Sequence, residues 1–204
     1  LKTPPASWQD FWDVKKFPGT RSMYNNAPRT LIAAALADGV PLDKVYPLDV
    51  DRAFKKLDQI KPHIKVWWTQ GNQSQQLIRD GETDMIVMWN ARASELKEQG
   101  HPVELVWNGG MVSTTMWGVA KGAPNRKLAW EFIQFAVQPK PQADFCNRLF
   151  YGPTNPKAFD LIKPDVAKQM PSYPENASQM VPANPEWEAA NAALLQERFA
   201  QWLA

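Results

Sequence analysis

Strand-like and helix-like stretches alternate from residue 7 onward, and that rhythm confines the chain to an α/β fold more tightly than any single residue does. SMYN (22–25) is short and extended. Asn26 can then cap a helix that carries Pro28 in its first turn, and TLIAAALAD follows until Gly39. After the proline-punctuated connector VPLDKVYPLDV, a second helix is expected from about Asp51 to Ile60, with Ala53, Phe54, Leu57 and Ile60 on one face. IKVWW (64–68) reads as a strand and QSQQLIRDG as a helix stopped by Gly81. DMIVMW (84–89) is apolar on both faces, a pattern that suits the middle of a covered, largely parallel sheet. ARASELKEQG gives the next helix and VELVW (103–107) a further strand, so the crossovers have the length of βαβ units.

The rest of the chain is less regular. TTMWGVAK (114–121) precedes a strongly apolar helix, LAWEFIQFAV (128–137), and QADFCNRL continues as another. YGPTNP (151–156) places two prolines and a glycine in six residues, which makes an irregular loop. Short helical pieces, AFDLI and DVAKQM, lie among more prolines. A long helix begins at Asn184-Pro185, with Trp187, Ala190, Leu194, Leu195, Phe199 and Trp202 on its apolar side.

Charge and motif content exclude several functions. With 23 basic and 21 acidic side chains the net charge is +2, which supplies no field for a phosphate polymer, so nucleic acid is not an expected partner. No apolar run approaches the ~18 residues of a membrane span. No GxGxxG or GxxxxGK[ST] lies between a strand and a helix, and Gly109-Gly110 reads as a turn. The single cysteine, Cys146, excludes an internal disulfide and a cysteine-based zinc cage. His63 and His101 sit in polar lead-ins to strands and read as solvated loop residues. No GxSxG or HExxH appears, and Cys146 follows Phe145 on an apolar helix, a core position. The expectation is a protein with no cofactor, no metal and no catalytic residue.

Ten tryptophans among 204 residues exceed what one core needs. Several stand at strand ends: Trp67 and Trp68 before TQGN, Trp89 before Asn90, Trp107 before Asn108. Ligands of open α/β sheets bind outside the carboxyl ends of the strands, in clefts lined by aromatic groups with a few polar ones. For any one indole, packing under a helix is an equally good reading; for the set, a cleft is the better one.

The order of segments carries a resemblance. SWQDFWDVKKFPGTRSM, RDGETDMIVMWNARASEL, PVELVWNGG, TMWGVAKGAPNRKLAWEFIQFAVQP, YGPTNP and the closing WEAANAALLQERFAQWL resemble the extracellular solute-binding proteins of ABC importers, of the spermidine/putrescine-binding type, over essentially the whole chain. The resemblance implies a periplasmic-binding-protein-like (type II) fold, a mixed and mostly parallel sheet flanked by helices. It implies a monomeric, non-enzymatic periplasmic subunit that closes two lobes over a small solute and delivers it to a permease in the inner membrane. Members of the family are longer than this chain. Residues 1–113 are therefore expected to form the second lobe, 114–154 a returning segment of the first lobe, and 155–204 C-terminal helices packing mainly on the second lobe. The leading part of the first lobe and the signal peptide would lie outside the chain.

Carried over by position, the resemblance marks Asn26 and Arg29 where polyamine binders hold two acidic residues, and keeps their strand-end tryptophan as Trp89. It places Ser113 and Thr115 at the family's Trp and Asp after the Gly-Gly pair, Tyr151 at its loop aromatic, and Glu188 at its last polar contact. Losing the acids removes the groups that would neutralise buried ammonium ends. Arg29, with Arg92 just past Trp89-Asn90, could instead grip a carboxylate, which points to a γ-aminobutyrate-like solute rather than a polyamine. An α/β enzyme and a Trp-rich carbohydrate-binding module are the alternatives. The first needs a reactive constellation, and the second is usually β-rich.

Overall fold

The structure, a computed structural model, describes residues 3–204. Along the chain it forms α1 (Trp8–Trp12), β1 (Arg21–Tyr24), α2 (Ala27–Ala37), α3 (Val50–Ile60), β2 (Ile64–Trp68), α4 (Gly71–Arg79), β3 (Met85–Ile86) and α5 (Asn90–Glu98). There follow α6 (Arg126–Ala136), α7 (Pro139–Leu149), the short α8 (Pro164–Ala167) and α9 (Pro174–Ala177), and α10 (Pro185–Leu203). Two compact units result, one running to Val112 and resuming with Gln179–Ala204, the other Ser113–Ser178.

The first unit is built on a parallel sheet in the order β2-β1-β3. Its central strand is therefore the short RSMY, paired from Arg21↔Ile64 to Tyr24↔Trp68 on one side, with a one-residue register shift between Arg21 and Ser22, and from Arg21↔Met85 to Ser22↔Ile86 on the other. DMIVMW does not take the central place that its apolar run predicts: only Met85 and Ile86 pair, at an edge, and residues 85–88 are half-buried. Centrality follows from pairing on both sides, and Ser22 and Met23, fully buried, show it better than hydropathy does. VELVW keeps the alternating burial of a strand without forming a ladder. A parallel bridge, Met111↔Val181, helps join the two chain segments of this unit, flanked by Gly109 N–H to Gln179 O at 2.8 Å.

Helix α2 forms the middle of the packing. The Asn26 side chain accepts from Arg29 N–H at its start, as its Asn-Ala-Pro sequence predicts, and residues 30–37 are all buried. Its run of alanines presents little side-chain bulk, so α1, α3 and α10 pack against it. The amphipathic face of α3 behaves as read, with Ala53, Phe54, Leu57 and Ile60 buried. The N-terminal SWQDFWDVKKFPG segment wraps Arg21, whose guanidinium donates to the carbonyls of Phe11 (2.7 Å), Gly19 (2.8 Å) and Phe17 (2.5 Å). Burial lowers the pKa of Arg21, the nearby Asp13 and Asp84 carboxylates oppose that shift, and the three carbonyl acceptors satisfy its N–H groups.

The second unit has a smaller core, Ala143, Cys146, Ala158, Ile162, Ala167 and Met170, between α7 and the turns that follow it. Residues 155–178 cluster with 113–154, and Ala158, Ile162 and Met170 lock this stretch onto α7, while 179–204 return to the unit of residues 1–112, where the sequence expectation placed the C-terminal helices in the main. TTMWGVAK forms no strand, and α6 buries none of its residues. Leu128, Trp130, Phe132 and Phe135 all stand exposed.

Candidate functional site

Because the three strands run parallel, their carboxyl ends share one edge, and each delivers an aromatic residue there. Tyr24 ends β1, Trp68 ends β2, and Trp89 follows β3 just before α5. Tyr24 and Trp68 are stacked with ring centroids 4.3 Å apart and planes 14° from parallel. Trp89 meets both edge to face, at 5.7 Å from Tyr24 and 5.6 Å from Trp68. Trp68 is fully buried and its Nε1–H donates to Val87 O at 2.8 Å, so it forms the floor of the group. Trp89, 41% exposed, is the ring that faces outward.

The same edge carries three helix starts. Helices α2, α4 and α5 each begin within a few residues of a strand end, at Ala27, Gly71 and Asn90. The positive dipole ends of these helices favour a negative charge there, each by about 0.3–1 kcal/mol. Arg29 and Arg92 lie in the first turns of α2 and α5 and add two cationic side chains.

The two arginines have separate partners. Arg29 Nη1 and Nη2 reach Glu188 Oε1 and Oε2 at 3.5 and 3.3 Å, and Tyr46 Oη donates to Glu188 Oε1 at 2.6 Å. Glu188 lies in the first turn of α10, whose cap Asn184 accepts from Trp187 N–H, and Trp187 packs on Tyr46. Burial and the Glu188 carboxylate together raise the Tyr46 pKa, so its hydroxyl remains a donor. Arg92 Nη1 instead reaches Gln75 Oε1 at 3.4 Å and Glu95 Oε2 at 3.5 Å, and it stands beside Trp89, one helical turn on.

Of the residues marked from the sequence, Arg29 and Glu188 meet directly, Asn26 is the cap of the helix that carries Arg29, and Trp89, Asn90 and Arg92 form the start of α5. Ser113, Thr115 and Tyr151 belong to the other unit, where Ser113 and Thr115 are exposed and Tyr151 stacks on Phe145 at 5.9 Å. Sequence reading missed Tyr24 and Tyr46. Tyr24 could have been found from its place at the end of an extended segment before a capped helix; Tyr46 had no such signal. Cys146 is buried, and burial pushes its thiol up to about 11, which leaves little thiolate at neutral pH. Among the described residues, no group of three His, Cys, Asp or Glu is placed to hold a metal ion, and no helix is long and apolar enough to cross a membrane.

Comparison with known proteins gives a consistent picture. The profile of the bacterial extracellular solute-binding proteins matches residues 1–177. The chain is 37% identical to the gamma-aminobutyric acid-binding protein of Pseudomonas aeruginosa, over all of this chain and 59% of that protein. It is 22% identical to the spermidine/putrescine-binding periplasmic protein of Escherichia coli, over 97% of this chain and 56% of that protein. The crystal structure of an ABC transporter substrate-binding protein from Bradyrhizobium japonicum USDA 110 matches with a TM-score of 0.95 and 48% identity, over 99% of this chain and 64% of that one. The chain thus spans somewhat under two thirds of the length of these relatives.

Proposed function

The chain belongs to the bacterial extracellular solute-binding proteins, and from that premise we propose that it captures a small amine-bearing carboxylate, γ-aminobutyrate or a close analogue, for an ABC importer. The observation that carries this reading is the convergence of Tyr24, Trp68 and Trp89 with three helix starts at one sheet edge. An ammonium group gains about 0.5–2 kcal/mol against an aromatic face, and Trp89 offers the outward one. A carboxylate gains from the helix starts and from a guanidinium, Arg92 beside the indole or Arg29 across the α2 start. A solute with both groups, a few carbons apart, uses both features; a polyamine uses only the first. The greater identity to the gamma-aminobutyric acid-binding protein than to the spermidine/putrescine-binding one supports the same choice.

In this reading the unit holding Trp89 is one lobe and Ser113–Ser178 belongs to the other; the positions of Ser113, Thr115 and Tyr151 in the family pattern make them that lobe's ligand contacts. The remaining contacts of that lobe would come from the part of the relatives' length that this chain does not span. The exposed apolar face of α6 supports this assignment, since Leu128, Phe132 and Phe135 lie together on it and need an apolar cover. Capture is by lobe closure without turnover, in the periplasm, by a monomer that hands the solute to a membrane permease.

Calorimetric titration of the protein with γ-aminobutyrate, putrescine and spermidine tests the ligand. Saturable binding of the acid with no heat from either polyamine is expected. Tight polyamine binding with no response to the acid would overturn the reading.

A further inference from the structure

Gly71 is the first residue of α4, three positions after the β2 strand end at Trp68, and it is buried. Its backbone is not in the left-handed region, so no conformational demand calls for glycine there. Glycine in a helix is also intrinsically unfavourable beside alanine. Space explains it. A Cβ added at Gly71 would stand 2.7 Å from Cζ3 and 3.0 Å from Cε3 of Trp89, and 3.2 Å from Arg92 Nε. The six-membered ring of the indole occupies the volume in which any other residue would carry its side chain.

That contact closes the third side of Trp89. Its other two neighbours, Tyr24 and Trp68, meet it edge to face, and Trp68 is fully buried and tied to Val87 O. The ring cannot yield toward Trp68 without disturbing the sheet edge, so a methyl group at position 71 must drive it outward. Such a shift moves the aromatic wall and the Arg92 guanidinium beside it together.

We propose that Gly71 is a positioning residue for specificity: the volume left by its absent side chain seats the Trp89 indole, and with it Arg92, at the depth that fits a short amine-bearing carboxylate. The proposal rests on the solute reading given above for its ligand, but the seating of the indole can be measured without any ligand.

The test compares Gly71→Ala, Trp89→Phe and the double variant with the parent protein. Phe lacks the Cε3 and Cζ3 atoms that the new methyl would meet. The near-UV circular dichroism contribution of Trp89 is the parent spectrum minus that of Trp89→Phe. Its counterpart in the alanine background is the Gly71→Ala spectrum minus that of the double variant. The two are expected to differ clearly. In titrations with γ-aminobutyrate, Gly71→Ala is expected to weaken binding about tenfold in the parent and less than twofold in the Trp89→Phe background, with thermal stability unchanged or slightly raised. Superimposable Trp89 contributions, or an equal affinity loss in both backgrounds, would overturn the proposal. Should the parent fail to bind γ-aminobutyrate at all, the solute reading falls, while the optical comparison still decides whether Gly71 seats the indole.

Discussion

Trp67 and Trp68 are neighbours on β2, yet they serve two different aromatic groups. Trp67 joins Phe199 and Trp202 of α10, with centroids 5.9 and 5.6 Å away, and Phe54 of α3 completes that group through Trp202. Trp68 stacks on Tyr24 at the strand edge and supports Trp89. The alternation of side chains along a strand separates the two neighbours. In the first group every ring is covered or tied. Phe199 is fully buried, the Trp202 indole N–H donates to Asp58 at 2.7 Å, Lys61 lies over the Trp202 ring at 4.7 Å, and Arg198 lies over Phe54 at 4.9 Å. The second group leaves its outermost ring open and has helix starts around it. Aromatic content alone does not mark a site. An aromatic group marks one when a buried floor holds an exposed ring where helix N-termini converge.

If this division is right, the two groups respond oppositely to truncation. The largest effect is expected from Phe199→Ala, which should cost about 3–5 kcal/mol of stability by opening a cavity under α10. Its affinity for γ-aminobutyrate, measured below its melting transition, should stay within about twofold of the parent's. Denaturant unfolding and calorimetry on the same variant check both halves.

Trp89→Ala should do the reverse. Removing an exposed ring is expected to weaken binding about 10–30-fold, or about 1.4–2 kcal/mol. Its unfolding free energy should fall by no more than about 1 kcal/mol. A loss of stability as large as that of Phe199→Ala would erase the contrast between the groups.

The smallest effect sharpens the chemistry of the edge. Glu188 occupies the Arg29 guanidinium in a half-buried pair, so a solute carboxylate seeking that arginine must compete with it. Glu188→Gln keeps an acceptor for Tyr46 and removes the competing charge. Affinity for γ-aminobutyrate should then rise about threefold, read by titration. A fall would mean that Glu188 orients Arg29 instead, or meets the solute amine itself.

Local signals were legible in the sequence and pairing signals were not. The caps Asn26 and Asn184, each followed by proline in the first helical turn, place α2 and α10 because a cap needs only its own turn. The face of α3 follows from its spacing for the same reason. The sheet order does not: DMIVMW has the hydropathy of a central strand and sits at an edge, while the modest RSMY is paired on both sides. The site shows the same split. Trp89 was legible as a strand-end indole, and Arg92 followed from it. Tyr24 had a local signal at the end of its extended segment, but its stack on Trp68 enters only once β1 is known to run beside β2, and Gly71 only once the Trp89 ring is placed. The Arg29–Glu188–Tyr46 cluster joins residues up to 159 positions apart, which no local pattern encodes.

The most direct test of the central claim follows tryptophan fluorescence while γ-aminobutyrate is titrated into the parent, Trp89→Phe and Trp202→Phe proteins. The account predicts a saturable change in the parent that survives in Trp202→Phe and disappears in Trp89→Phe. A change that persists without Trp89, or that vanishes with Trp202 alone, would contradict it.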